Sequence, residues 1–121
     1  MEPNLSEYLQ NQIKQAQQLE GQIEQVATQK YQLDVRIKEL DKTIKELDSI
    51  KDGTKVFKNV GPVLYEVESR KKLIDELSEQ KELSEIRIKT LEKQQASLEA
   101  KYKELEEILK KRYEEARKGQ K

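Results

Sequence analysis

From Leu5 to about Lys51 the apolar residues of this chain recur with a seven-residue repeat. Written as heptads, Leu9, Ala16, Ile23, Lys30, Ile37 and Ile44 hold the a positions, and Leu5, Gln12, Leu19, Val26, Leu33, Leu40 and Leu47 hold d. Only Gln12 and Lys30 interrupt the stripe, and Gly21 is its one glycine. Such a narrow, persistent stripe predicts a long helix whose a/d seam packs on one other helix. A second run begins near Ser69 and continues to about Ala116. Its a positions are Ile74, Lys81, Ile88, Gln95, Tyr102, Leu109 and Ala116, and its d positions are Leu77, Ser84, Leu91, Leu98, Leu105 and Arg112. Pairs such as Glu85 with Lys89 and Glu99 with Lys103 have the favourable i, i+4 order and read as solvated helix faces.

Between the runs the helical period stops. Gly53 suits a helix C′ position, and Val56-Phe57 and Val63-Leu64-Tyr65 have strand composition, so a β-hairpin turning near Asn59 to Pro62 is expected. Ser69 is placed to cap the next helix. The expected fold is mainly α: a long antiparallel two-helix coiled-coil hairpin with one central β-hairpin, in a single domain over residues 1–121. Helix one runs over about 5–51, the β-hairpin over about 54–67 and helix two over about 69–116. Each helix would extend about 70 Å at about 1.5 Å per residue. The competing arrangement, a parallel dimer of straight rods, would have to carry the interruption from Gly53 to Val67 through its middle.

Composition narrows the class further. Of 121 residues 34% are hydrophobic and 40% charged, which suits long helices burying a narrow stripe and not a thick core. Twenty-four basic and 24 acidic residues cancel, so no general charge draws the chain to nucleic acid or to a membrane surface. With no Cys and no His, thiol chemistry, the usual general base and the commonest metal ligand are missing. No P-loop or glycine-rich fingerprint appears, and an enzyme, a bound metal or a cofactor is not expected. No apolar run approaches the length of a membrane span and the first ten residues lack a secretion signal, so the expected compartment is the cytoplasm.

The central insert and the two chain ends each carry apolar residues that a two-helix seam does not use. An isolated hairpin would expose Val56, Phe57, Val60, Val63, Leu64 and Val67 and leave its backbone edges unpaired, which marks it as an oligomerisation element. A hairpin folded onto its own coiled coil remains the alternative. Along most of both helices the e and g positions are polar, but Tyr8 (g), Ile13 (e), Ile108 (g) and Tyr113 (e) are apolar, while the d positions beside them are Gln12 and Arg112. In an antiparallel hairpin Leu5, Tyr8, Leu9, Ile13, Ile108, Leu109 and Tyr113 would form an apolar surface suited to contact. The alternative is that these residues thicken a fraying end. Tyr31, Val35, Leu83 and Ile86 are also apolar outside the seam and read as scattered surface residues.

Helix, single β-hairpin, helix resembles the beta-type subunits of the prefoldin family, archaeal beta subunits and eukaryotic subunit six among them. The resemblance covers almost the whole chain. It is carried by residues 55–64, KVFKNVGPVL, at the hairpin and by residues 90–95, TLEKQQ, in the second helix. It implies a hetero-hexamer of two alpha-type and four beta-type subunits, with the hairpins forming a β-barrel body from which the coiled coils hang. It further implies an ATP-independent chaperone, a holdase that captures unfolded proteins at the coiled-coil tips and passes them to a group II chaperonin. By position, the client contacts would be the end cluster from Leu5 to Tyr113 named above. The residues alone leave open a second reading, a structural coiled-coil scaffold or spacer that binds a single folded partner. The basic tail from Arg117 to Lys121 holds nothing hydrophobic, so a chaperonin contact made there would be electrostatic.

Overall fold

A computed structural model of the chain describes the backbone of residues 3–119 and the side chains of residues 6–119. Two long helices, α1 (Pro3–Ser49) and α2 (Arg70–Lys118), bracket an antiparallel hairpin of β1 (Phe57–Val60) and β2 (Val63–Glu66). This is the mainly α, helix–hairpin–helix order that the periodicity predicts. The chain divides into two compact units: a terminal unit, up to Lys30 and from Thr90 onward, and a central unit, Tyr31–Lys89.

In the terminal unit the seam is the predicted heptad stripe. Val26, Leu91 and Leu105 are buried, and the other described a and d side chains are half-buried except Arg112 and Ala116, which are exposed. Interhelical partners recede along α2 as they advance along α1: Glu20 meets Tyr102, and Lys30 meets Glu92. The pairing is therefore antiparallel.

The central unit repeats the arrangement, with Leu40, Leu47 and Ser84 buried in the seam and Arg36 donating to Gln80 Oε1 at 3.2 Å. Helix α1 stops at Ser49, two residues before the expected end, and its last carbonyls need partners from outside the helix. Ser49 Oγ donates to the Glu46 carbonyl at 3.0 Å, and Arg70 reaches the carbonyl of Leu47 and that of Ile50 just past the helix end. Its Nη1 donates to the carbonyls of Leu47 at 3.2 Å and Ile50 at 2.5 Å, and its Nη2 reaches Asp52 Oδ1 at 2.8 Å. One guanidinium thus ties the end of α1 to the start of α2.

Gly53 is not the C′ residue of α1. It is the third residue of a turn over Lys51–Thr54, closed by Thr54 N–H donating to the Lys51 carbonyl at 3.2 Å, where its φ of +86° is the value a type II turn requires. Ser69 does cap α2: its Oγ accepts from Lys72 N–H and its carbonyl from Leu73 N–H, both at 3.1 Å.

The hairpin pairs Phe57 with Glu66, Lys58 with Tyr65, Asn59 with Leu64 and Val60 with Val63. Val67 N–H extends the ladder to the Val56 carbonyl at 2.8 Å. Gly61 and Pro62 form the two-residue loop. Gly61 has a φ of +58°, and proline fixes a negative φ at the next position, which leaves type II′ as the turn that suits the twist of the strands.

Candidate functional site

The two chain ends lie side by side within the terminal unit. The Arg112 guanidinium sits 5.4 Å from the centre of the Tyr8 ring, a cation–π distance. Tyr8, Ile108, Lys111, Arg112 and Glu115 line one shallow groove, so the two g-position apolar residues share a flank of the seam. Ile13 and Tyr113 are both e residues, which puts them on the opposite flank by register. Ile13 is 48% exposed, Ile108 37% and Tyr113 65%, whereas Tyr8, Leu9 and Leu109 are half-buried. Leu9 and Leu109 belong to the seam itself. The side chain of Leu5 lies outside the described residues, as do Gln120 and Lys121 of the basic tail. The expected single surface is thus two apolar flanks beside a polar d position. The contact of Arg112 with Tyr8 was not anticipated, since the sequence marks Arg112 only as a polar break in the stripe.

Three seam residues with polar ends find partners at e positions of the facing helix. Lys30 Nζ lies 3.7 Å from Glu92, Lys81 Nζ donates to Asp41 Oδ1 at 2.8 Å, and the Tyr102 hydroxyl donates to Glu20 Oε1 at 2.5 Å. Each long side chain keeps its stem in the seam and its polar end at the rim. The hydrogen bonds from Lys81 and Lys45 hold the Asp41 carboxyl below its ordinary value of 3.8. The bond to Asp41 holds the Lys81 ammonium above 10.5. The bond to Glu20, with burial and nearby negative charge, pushes the Tyr102 hydroxyl above 10. These are structural clamps: each group is satisfied by a partner on the facing helix.

In the central unit the hairpin exposes apolar side chains on both faces. By register Phe57 and Leu64 share one face with Asn59 and Glu66, while Val60, Val63 and Tyr65 share the other with Lys58. Phe57, Val60, Val63, Leu64 and Tyr65 are all between 47% and 60% exposed, and Val56 and Val67 are half-buried where the strands begin and end. Tyr65 is exposed like the hairpin residues expected to mediate assembly, although it is not among them. Its alternation with Val63 was the available signal. Tyr31, Val35, Leu83 and Ile86 are exposed outside the seam.

Among the described residues no group of three or more acidic, His or Cys side chains gathers as a metal site, and no helix is long and apolar enough to cross a membrane. What the chain offers is apolar contact surface: paired helix ends in one unit, and an unpaired two-faced hairpin in the other. These features define a helix–hairpin–helix coiled-coil chain with exposed apolar surface at the helix ends and on the hairpin. Comparison with known proteins makes the class specific. Residues 10–116 match the family model described as prefoldin subunit. The chain is 58% identical over 113 residues to a prefoldin subunit beta of Thermoplasma volcanium, covering 93% of this chain and 91% of that one. To the prefoldin subunit beta of Thermoplasma acidophilum it is 55% identical over 120 residues, 98% and 97% of the two chains. The crystal structure of the prefoldin beta subunit from Thermococcus strain KS-1 superposes with a TM-score of 0.76 at 29% identity, covering 86% of this chain and 90% of that one. The chain belongs to the prefoldin family of chaperone subunits, alongside its beta subunits.

Proposed function

We propose that this chain is the beta-type subunit of an ATP-independent holdase, assembled in the cytoplasm with an alpha-type subunit as a hexamer of two alpha and four beta chains. The hairpin supplies the assembly contacts through Val56, Phe57, Val60, Val63, Leu64 and Val67. A shared sheet would pair its open edges and bury both apolar faces. The paired chain ends supply the client contacts through Leu5, Tyr8, Leu9, Ile13, Ile108, Leu109 and Tyr113. Several such ends each bind an unfolded chain weakly, and their multivalency raises the affinity without demanding a client sequence. Captured polypeptides then pass to a group II chaperonin.

The observation that supports this most is the exposure of Ile13 and Tyr113, 48% and 65%, on a chain of which 40% of the residues are charged. Replacing Leu5, Tyr8, Ile13, Ile108 and Tyr113 together with Ser tests it, using light scattering from several unrelated denatured clients. The wild-type assembly should suppress aggregation of all of them and the variant of none. Equal protection by both proteins would remove the client assignment, and a wild type that protects no client would turn the reading toward a scaffold for one folded partner.

A further inference from the structure

Between Gln10 and Gln32 the first helix carries nine glutamines, which the heptad pattern absorbs as an ordinary polar flank. The terminal unit gives four of them a shared setting. Gln12, Gln15, Gln18 and Gln22 line one side of a groove of about 490 Å³ that Leu105 and Ile108 of α2 also line. Their spacing of three, three and four residues sets them in one stripe along the helix. Ile108 also lines the groove beneath Tyr8 and Arg112, so the glutamine groove meets the apolar flank of the chain ends.

A carboxamide is neutral and carries both a donor and an acceptor, as a peptide group does. Among the described residues none of these four side chains is engaged in a hydrogen bond. Gln12 to Gln22 rises about 15 Å along the helix, the length of four to five residues of extended chain. A polypeptide that has not folded differs from a native one in that its backbone N–H and C=O groups lack protein partners. Lys101 and Glu104 in the same groove offset each other in charge, so the lining does not select clients by sign.

We propose that this groove binds an extended segment of a non-native polypeptide through its backbone, the glutamine amides pairing with client peptide groups while Ile108 contacts an adjacent apolar side chain. The groove reads what every unfolded chain has in common, which apolar patches alone do not. The inference rests on the holdase reading above and extends the capture surface inward from the apolar ends.

The test uses the assembled protein and two short fluorescein-labelled peptides of alternating Val and Ser, one of them N-methylated along its backbone. Fluorescence anisotropy gives the ratio of their affinities, which does not depend on the active fraction of a preparation. Wild type should prefer the unmethylated peptide roughly ten-fold, as one to two net hydrogen bonds imply. Gln15→Met with Gln22→Met keeps length, helix propensity and apolar contact while removing the amides, and its preference should fall to about one. If apolar contact were the whole interaction, the Met variant would bind both peptides more tightly. That result, an unchanged preference, or a wild type that prefers or binds neither peptide would overturn the proposal. Ile13→Ser with Tyr113→Ser separates the two readings. These residues lie on the flank away from the groove, so the change should weaken protection of denatured clients from aggregation and leave the peptide preference at its wild-type value; if client protection is unchanged while the Met variant still loses its preference, the client assignment of those ends fails and the groove stands, and if the peptide preference falls with it, the groove is not the peptide's site.

Discussion

Leu91 and Leu83 are the same residue eight positions apart on α2, and the structure gives them opposite environments: Leu91 is 2% exposed at a d position, and Leu83 is 60% exposed outside the seam. Truncating Leu91 to Ala removes three buried carbons, worth about 0.8 kcal/mol each, or about 2.4 kcal/mol before any cavity is counted. A two-helix seam has no third layer, so its neighbours can close over part of the space. The expected loss is about 2–3.5 kcal/mol. At Leu83 most of the side chain is already in water, and Ala is the better helix former, so the same change should cost below about 1 kcal/mol. Urea unfolding of the chain by itself, followed by far-UV circular dichroism, measures both with one slope. Equal losses at the two positions, or a larger one at Leu83, would mean that the a/d stripe is not what holds the helices together.

The glycines offer a second contrast. An added Cβ meets nothing within 4 Å at either Gly61 or Gly21. Gly61→Ala should still cost about 1–2 kcal/mol, because its φ of +58° is strained for an L side chain, and it should shift the assembled mass toward dissociated chains. Gly21→Ala in helix α1 should stabilise by up to about 1 kcal/mol, read as a higher Tm. pH gives a third test. The lowered carboxyl of Asp41 contributes stability that is present above pH 3.8 and is lost as the pH falls through its folded value. The raised Lys81 and Tyr102 contribute below about pH 10 and lose that contribution as the pH rises through their folded values. Stability should therefore be flat from about pH 5 to 9. The stability difference between wild type and Lys81→Met should be constant over that window and move in favour of Lys81→Met in acid, and a difference that stays unchanged well below pH 3.8 would remove the Asp41–Lys81 pair as a contributor.

Much of this molecule is local and therefore legible in the sequence. A helix built on a heptad must turn its a and d residues to one side, so the stripe from Leu9 to Leu47 and from Ile74 to Leu109 fixed which side chains are buried, without reference to the partner. Ser69 and the Gly61-Pro62 pair are likewise local, each dictated by a backbone requirement within a few residues. What the sequence left open depended on a second element. Gly53 had the residue type for a helix C′ but serves a turn, because Arg70 reaches back from α2 to take the carbonyls of Leu47 and Ile50. Seven apolar residues at the chain ends group as one surface in the sequence, yet the antiparallel register places g with g, so Tyr8 and Ile108 share a groove, while Ile13 and Tyr113, both e residues, fall on the other flank. The run of glutamines had no meaning in one helix alone, because a groove needs two walls. Periodicity settles which face of a helix is apolar, but only the pairing of the helices decides which residues become neighbours.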